Sequence, residues 1–154
     1  MIRIERDPAW WADVASHPGI SASLMGIAPQ VIGALASRED VLPLAAQHGG
    51  FMFRRTDALG LTMELHSLFT PEGWGREVHD AGREALTWIF QGCHILTTYE
   101  LEANSRSRPP KAFGFVQAGD WRETAAGTAR AWVLTRLAWE ASPAFRRMNK
   151  CHWQ

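Results

Sequence analysis

Leu68-Phe69-Thr70-Pro71-Glu72-Gly73-Trp74-Gly75-Arg76-Glu77-Val78-His79 is the stretch on which the reading of this chain turns. It closes an apolar, strand-like run that begins at Leu61, breaks it with Pro71 and two glycines, and opens a long amphipathic pattern that continues to Phe90. Trp74, Val78, Ala81, Ala85 and Trp88/Ile89 recur there at helical spacing, with Arg76, Asp80, Arg83, Glu84 and Thr87 on the other face. Gly92 ends the pattern. A strand that turns directly into a helix aims a row of unpaired backbone N–H groups at whatever sits over the turn, which suits an anion.

Upstream of that stretch, Ile2 and Ile4 among alternating charges read as a short edge strand. Asp7-Pro8 then supplies an N-cap and a first-turn proline for a helix covering Trp10, Trp11 and Val14, which His17-Pro18-Gly19 ends. Pro29 starts a short helix carrying Val31, Ile32 and Leu35. Three strands follow, Val41 to Ala46, Phe51 to Thr56 and Leu61 to Phe69. The short links Gln47-His48-Gly49-Gly50 and Asp57-Ala58-Leu59-Gly60 predict an antiparallel meander.

Downstream, Ile95 to Leu101 is a β-branched and aromatic strand. It leads into Asn104-Ser105-Arg106-Ser107-Arg108-Pro109-Pro110, where two prolines leave room only for a short helix. Strands are expected over Phe115 to Arg122 and Ala129 to Trp139 around the turn Thr124-Ala125-Ala126-Gly127, with a last helix from Pro143 through Met148. This order of elements predicts a mixed α/β sheet with helices on its faces, built as a single domain over residues 1–154. A chain of that length buries about two thirds of the surface exposed when unfolded and needs no disulfide or metal.

Charge and composition narrow the function. Sixteen Lys and Arg residues balance sixteen Asp and Glu residues with no basic block, which argues against nucleic acid or an anionic membrane as the partner. Residues 1–7 carry charges where a signal peptide needs an apolar core, and no run approaches the ~20 apolar residues of a membrane span, so the expected location is cytoplasmic. Cys93-His94 and Cys151-His152 lack metal-ligand spacing and read as a buried thiol and a tail thiol, with no metal expected. A Trp-rich surface or the tail from Ser142 could support a homodimer.

The order of elements, together with two local patterns, resembles the Gcn5-related N-acetyltransferases, in particular the branch that contains the ribosomal-protein N-terminal acetyltransferases. One pattern is Asn104, then Ser107, then Phe113-Gly114-Phe115 at the start of the next strand. The other is Glu64 to Phe69 followed by Pro71-Glu72-Gly73-Trp74-Gly75-Arg76, similar to the family's fourth strand and pyrophosphate loop. Asp13-Val14-Ala15-Ser16-His17-Pro18 is similar to a stretch after the first helix in that branch.

The resemblance implies a mostly antiparallel sheet of six to seven strands with helices on both faces, and with strands four and five splayed to form a slot. It implies acetyl-CoA as co-substrate and a primary amine, on a small molecule or a peptide, as acceptor. Leu68, Phe69 and Thr70 would pair with the pantetheine arm as a strand would. Gly73, Trp74, Gly75 and Arg76 would hold the pyrophosphate, and Asn104 and Ser107 the arm and its thioester or phosphate end. Glu64 and His66, two apart on one strand and so on one face, are the candidate bases. Tyr99 and Ser107 are the candidate proton donors to the departing thiolate.

Two features depart from the family pattern, the loop and the acid position. Glu77 and His79 stand where the loop has glycine and a small residue. A carboxylate in the first turn gains ~0.3–1 kcal/mol from the helix dipole. At about 5 Å from a phosphate charge it loses about 3 kcal/mol at an effective dielectric near 20. Repulsion wins, so phosphate binding requires Glu77 to point away or Arg76 to screen it. Pro110 stands where many members have the tyrosine that protonates the thiolate. These departures favour the competing reading, a degenerate domain of the same fold that binds CoA or another protein without catalysis.

Overall fold

Asp7 begins the first helix as its sequence demands: its Oδ1 accepts the Ala9 N–H at 2.9 Å, with Pro8 in the first turn. Such a cap contributes about 1 kcal/mol. The computed structural model describes residues 1–24 and 26–150; Cys151 and His152 lie outside the described residues. Two compact units make up the chain, Met1–Arg55 with Leu65–Ala85, and Thr56–Glu64 with the chain from Leu86 onward.

The first unit holds β1 (Arg3–Ile4), α1 (Pro8–Ser16), α2 (Pro18–Ser21), α3 (Pro29–Ala36), β2 (Val41–Ala45) and β3 (Gly49–Arg55). It also takes residues 65–69 of β4 (Thr62–Phe69) and the first turns of α4 (Arg76–Ile89). Its strands lie in the order β1-β2-β3-β4, with β1 and β3 antiparallel to β2. Trp11, Val14, Ala15, Ile32, Ala36, Val41, Met52 and Leu68 form its core. Trp11 is fully buried, and its indole N–H donates to Glu5 O at 2.7 Å, so the ring brings no unsatisfied donor inside. Where α3 meets α1, a Cβ on Gly33 would stand 2.3 Å from Pro8 O, so only glycine allows that approach.

The second unit holds β5 (Ile95–Leu101), β6 (Val116–Gln117), β7 (Arg122–Thr124), β8 (Gly127–Thr135), α5 (Arg136–Glu140) and α6 (Pro143–Lys150). β5 pairs antiparallel with β8 along its whole length, and β6 and β7 are both antiparallel to β8. β4 and β5 are parallel, with Thr62↔Ile95, Met63↔Leu96 and Glu64↔Thr97 in register. Leu96, Glu100, Trp132 and Leu134 are buried on one face of this sheet. Glu100 is neutralised there by Arg130 Nε at 2.7 Å and the Trp132 indole N–H at 2.8 Å. Burial pushes its carboxyl up, but these two partners outweigh burial and hold it below its ordinary value. Trp139 packs edge-on to Phe113 and Phe145.

The mixed α/β expectation holds: among the described residues eight strands form a mostly antiparallel sheet, where six or seven were expected. The strand expected over Phe115 to Arg122 is broken at Gly119-Asp120, two poor strand formers, leaving β6 and β7. The strand expected to Trp139 stops at Thr135, whose hydroxyl accepts the Ala138 N–H at 3.1 Å and caps α5. Trp74 lies outside α4, because Gly75 at φ +88° separates it from the first helical residue. Among the described residues no helix is long and apolar enough to cross a membrane.

The turn between β3 and β4 is fixed by one side chain. Asp57 accepts the N–H groups of Leu59, Leu61 and Thr62 and a short bond from the Thr62 hydroxyl. The Thr62 hydroxyl leads these partners in holding its carboxyl at about 2, against burial, which pushes it up. A depressed carboxyl stabilises the fold above its unfolded value and ceases to as pH falls through the folded one. Asp57→Asn is therefore expected to lower the urea midpoint at pH 7, with the gap from the native protein closing between pH ~4 and pH ~2. A gap independent of pH would show that the charge contributes nothing.

Candidate functional site

Within the first unit, β4 ends in two buried residues, Leu68 and Phe69, and the chain leaves it through a tight 3-10 turn, Pro71–Gly73. Thr70 O accepts the Gly73 N–H at 2.9 Å, and the Trp74 indole folds back to donate to Phe69 O at 3.0 Å. Gly73 is buried, and a Cβ there would stand 3.1 Å from both His48 Cβ and a Phe69 ring carbon. Gly75 is open, with no atom within 4 Å of an added Cβ; its positive φ is what turns the chain into α4. The sequence between strand and helix thus folds as punctuation predicts, with glycine at the one position of positive φ.

Two carboxylates border this turn, and each faces an imidazole. Glu77 is turned toward the link between β2 and β3: its Oε1 accepts the His48 N–H at 2.8 Å, and its Oε2 lies 2.7 Å from His48 Nδ1. Burial pushes the Glu77 carboxyl up, but the His48 bonds prevail and hold it below its ordinary value. Glu72 lies 3.9 Å from His17 Nε2, and the Thr70 hydroxyl bond comes first among the influences that lower its carboxyl. Arg76 is 95% exposed and faces Asp80 at 3.4 Å. An open cavity of about 520 Å³ is lined in part by Gln47, Glu72, Trp74, Arg76 and Glu77. Another of about 350 Å³ is lined in part by Trp10, Asp13, His17, His48 and Thr70. His48 escaped sequence reasoning altogether, because its partner is 29 residues away and no local pattern marks the pair.

In the second unit, Asn104 and Ser107 come together at the end of β5. Asn104 Oδ1 accepts the Arg106 N–H at 3.1 Å, and its N–H donates to Leu101 O at 3.0 Å. The Ser107 hydroxyl donates to Asn104 O and accepts the Leu101 N–H, each at 2.6 Å. Tyr99 is 45% exposed on the face of β5 that also carries Ile95 and Thr97. Pro110 precedes a second 3-10 turn, Lys111–Phe113, which ends at Gly114 with φ +90°.

Glu64 is half-buried where β4 pairs with β5, opposite Thr97, and His66 is exposed two residues further along. Cys93 is buried; its thiol lies within hydrogen-bond reach of Ile95 O at 3.2 Å and Leu61 O at 3.4 Å, either of which can accept its one proton, and burial pushes its pKa up, as suits a structural thiol. Among the described residues, no three His, Cys, Asp or Glu side chains are grouped to hold a metal ion.

No protein-family model matches the chain, and no curated protein matches it in sequence. Solved structures match it over nearly its whole length. The aminoglycoside acetyltransferase AAC(6')-Ib, in complex with coenzyme A and kanamycin, is 17% identical with a TM-score of 0.73, over 92% of this chain and 97% of that one. A variant of the spermidine N-acetyltransferase SpeG from Vibrio cholerae is 14% identical with a TM-score of 0.67, over 90% and 96%. A protein from Bacillus halodurans reaches 0.72 at 11% identity, over 97% and 90%. At these identities the likeness is one of fold, and the fold is that of the Gcn5-related N-acetyltransferases.

Ser107 holds the β5 end with its one donor and one acceptor bond. Ser107→Ala leaves the Leu101 N–H and Asn104 O without those partners and is expected to lower stability by about 1–2 kcal/mol, read as a shift in urea midpoint at constant slope. An unchanged midpoint would exclude this capping role.

Proposed function

We propose that this protein is an N-acyltransferase that moves an acetyl group from acetyl-CoA to a primary amine by direct attack in a ternary complex. The observation that carries this reading is the fold shared, across nine tenths of the chain, with acetyltransferases solved with coenzyme A. The amine nitrogen attacks the thioester carbonyl, the N–C bond forms, the C–S bond breaks and the thiolate leaves with a proton. Catalysis then comes mainly from positioning and from backbone N–H groups that polarise the carbonyl.

Residue roles follow the sequence resemblance. Leu68, Phe69 and Thr70 meet the pantetheine arm, and the turn Gly73-Trp74-Gly75-Arg76 with the first turn of α4 takes the pyrophosphate. Asn104 and Ser107 serve the arm and its thioester or phosphate end; since Oδ1 of Asn104 caps the following turn, its amide nitrogen is the group that donates. Glu64 or His66 accepts the ammonium proton. Tyr99, exposed and able to reach solvent, suits proton delivery to the thiolate better than Ser107, whose hydroxyl already donates to Asn104 O. The acceptor is a primary amine on a small molecule, as the names of the aminoglycoside and spermidine acetyltransferases among the structural neighbours give for those proteins, or on a peptide.

A second reading, a domain that binds CoA or a protein partner without catalysis, is favoured by Pro110 at the family's tyrosine position. Calorimetric titration with acetyl-CoA and an amine screen with free-thiol detection separate the two. The transferase reading expects saturable binding and thiol release with at least one amine. No binding at millimolar acetyl-CoA sinks it, and binding without turnover on any amine selects the second reading. With an acceptor in hand, Glu64→Gln is expected to lower kcat by about 10²–10⁴ with little change in acetyl-CoA affinity. Unchanged turnover removes Glu64 as the base and leaves His66.

A further inference from the structure

The carboxylate of Glu77 sits in the first turn of α4, where a bound phosphate would repel it, yet the side chain does not face outward. Both of its oxygens are engaged by His48, through the backbone N–H and through Nδ1, with a smaller contribution from the Gln47 backbone. Because the carboxyl is held below its ordinary value it is ionised, so Nδ1 carries the proton and donates. Arg76, the cation at this helix start, extends into solvent toward Asp80 and leaves Glu77 to His48.

His48 also grips the rest of the turn. Its carbonyl accepts the Thr70 N–H at 2.9 Å, and its Cβ lies against Gly73, so one residue touches the strand end, the turn and the helix start. Its own place is fixed by Gly49, at φ +141°, where an added Cβ would stand 2.1 Å from Leu68 O. Other ionisable groups around the turn include His17 with Glu72, Asp13, Arg76 with Asp80, the Met1 ammonium with Glu84, and His79 in the first turn of α4.

We infer that His48 is a positioning residue of the candidate cofactor site: by holding the Glu77 carboxylate against the β2–β3 link, it keeps that charge out of the mouth of α4 and lets the helix start accept a phosphate. The inference rests on the acyl-CoA reading above. It assigns the departure at Glu77 to a paired carboxylate, in place of the glycine of related loops.

The test compares acetyl-CoA with acetyl-pantetheine, which lacks every phosphate, by calorimetry on the full chain. His48→Ala removes the Nδ1 donor and keeps the backbone N–H to Glu77; with one carboxylate oxygen released the side chain turns outward, and acetyl-CoA binding is expected to weaken about 10- to 100-fold, the range a carboxylate near a phosphate gives. Acetyl-pantetheine affinity stays within about twofold. Adding Glu77→Gln to His48→Ala restores most of the acetyl-CoA affinity, and His48→Asn, which keeps a side-chain donor, retains it. Equal losses for the two ligands, or no rescue by Glu77→Gln, would reduce His48 to a structural role and overturn the inference. Should His48→Ala fail to fold by circular dichroism, Glu77→Gln alone decides: binding at least as tight as the native protein supports the inference, and tenfold weaker binding overturns it. A native protein that binds no acetyl-CoA sinks the cofactor reading itself, whereas native binding with an indifferent His48→Ala sinks only the role of His48.

Discussion

The start of β3 passes so close to the end of β4 that Gly49 has no room for a side chain: a Cβ there would overlap Leu68 O. This backbone approach governs much of the first unit. It brings the His48 carbonyl to the Thr70 N–H and so decides where β4 stops. The next residue is constrained in the same way, since a Cβ on Gly50 would meet Leu44 O at 2.2 Å and the buried Trp11 ring at 2.8 Å. Two adjacent glycines therefore seat a β-link against both the core tryptophan and the strand end. The loop that follows β4 inherits a rigid neighbour on one side, which is the condition for holding a helix start in a fixed place.

The second unit solves a similar problem with polar groups. β5 ends at Leu101, and the chain must turn without leaving its last backbone groups unpaired. Asn104 and Ser107 do this together, one bonding to Leu101 O through its backbone and the other to Leu101 N through its hydroxyl. The sequence pattern that carries the family resemblance is thus also a strand-ending motif. Further along the same face, Glu100 and Arg130 sit directly across the β5–β8 ladder, and the Trp132 indole completes the carboxylate's partners. A buried pair of this kind adds little over an apolar pair, but removing one member leaves an uncompensated charge that typically costs about 3–5 kcal/mol. It ties the register of the two strands to their charge pattern.

What could be read from sequence was whatever local chemistry determines. Asp7-Pro8, Pro29 and Pro143 begin helices, and Ile95 to Leu101 is a strand from its first residue to its last. The errors arose where a local device competed with hydrophobic periodicity. Thr135 stops a strand whose apolar pattern runs on, because its hydroxyl caps a helix. Trp74 has the spacing of the α4 face, yet its indole is drawn back to Phe69 O. The turn after β4 and the Asn104–Ser107 pair were each legible as local structure because each is contiguous in sequence. His48 was not, because it is an ordinary turn residue until the fold brings it to Glu77.

The pair changes how a loop pattern should be read. A family motif that asks for a small residue near a phosphate states two requirements, space and the absence of negative charge. Glycine meets both by having no side chain. A glutamate meets them only if another element gives its carboxylate two donors and a place to lie, and at Glu77 the His48 N–H and Nδ1 supply them. The backbone N–H groups of the helix start do not depend on which solution is used. Residue identity at such a position therefore does not by itself fix where the side-chain charge lies. The hydrogen-bond partners of the side chain fix it, and they come from a segment of chain that the motif does not include.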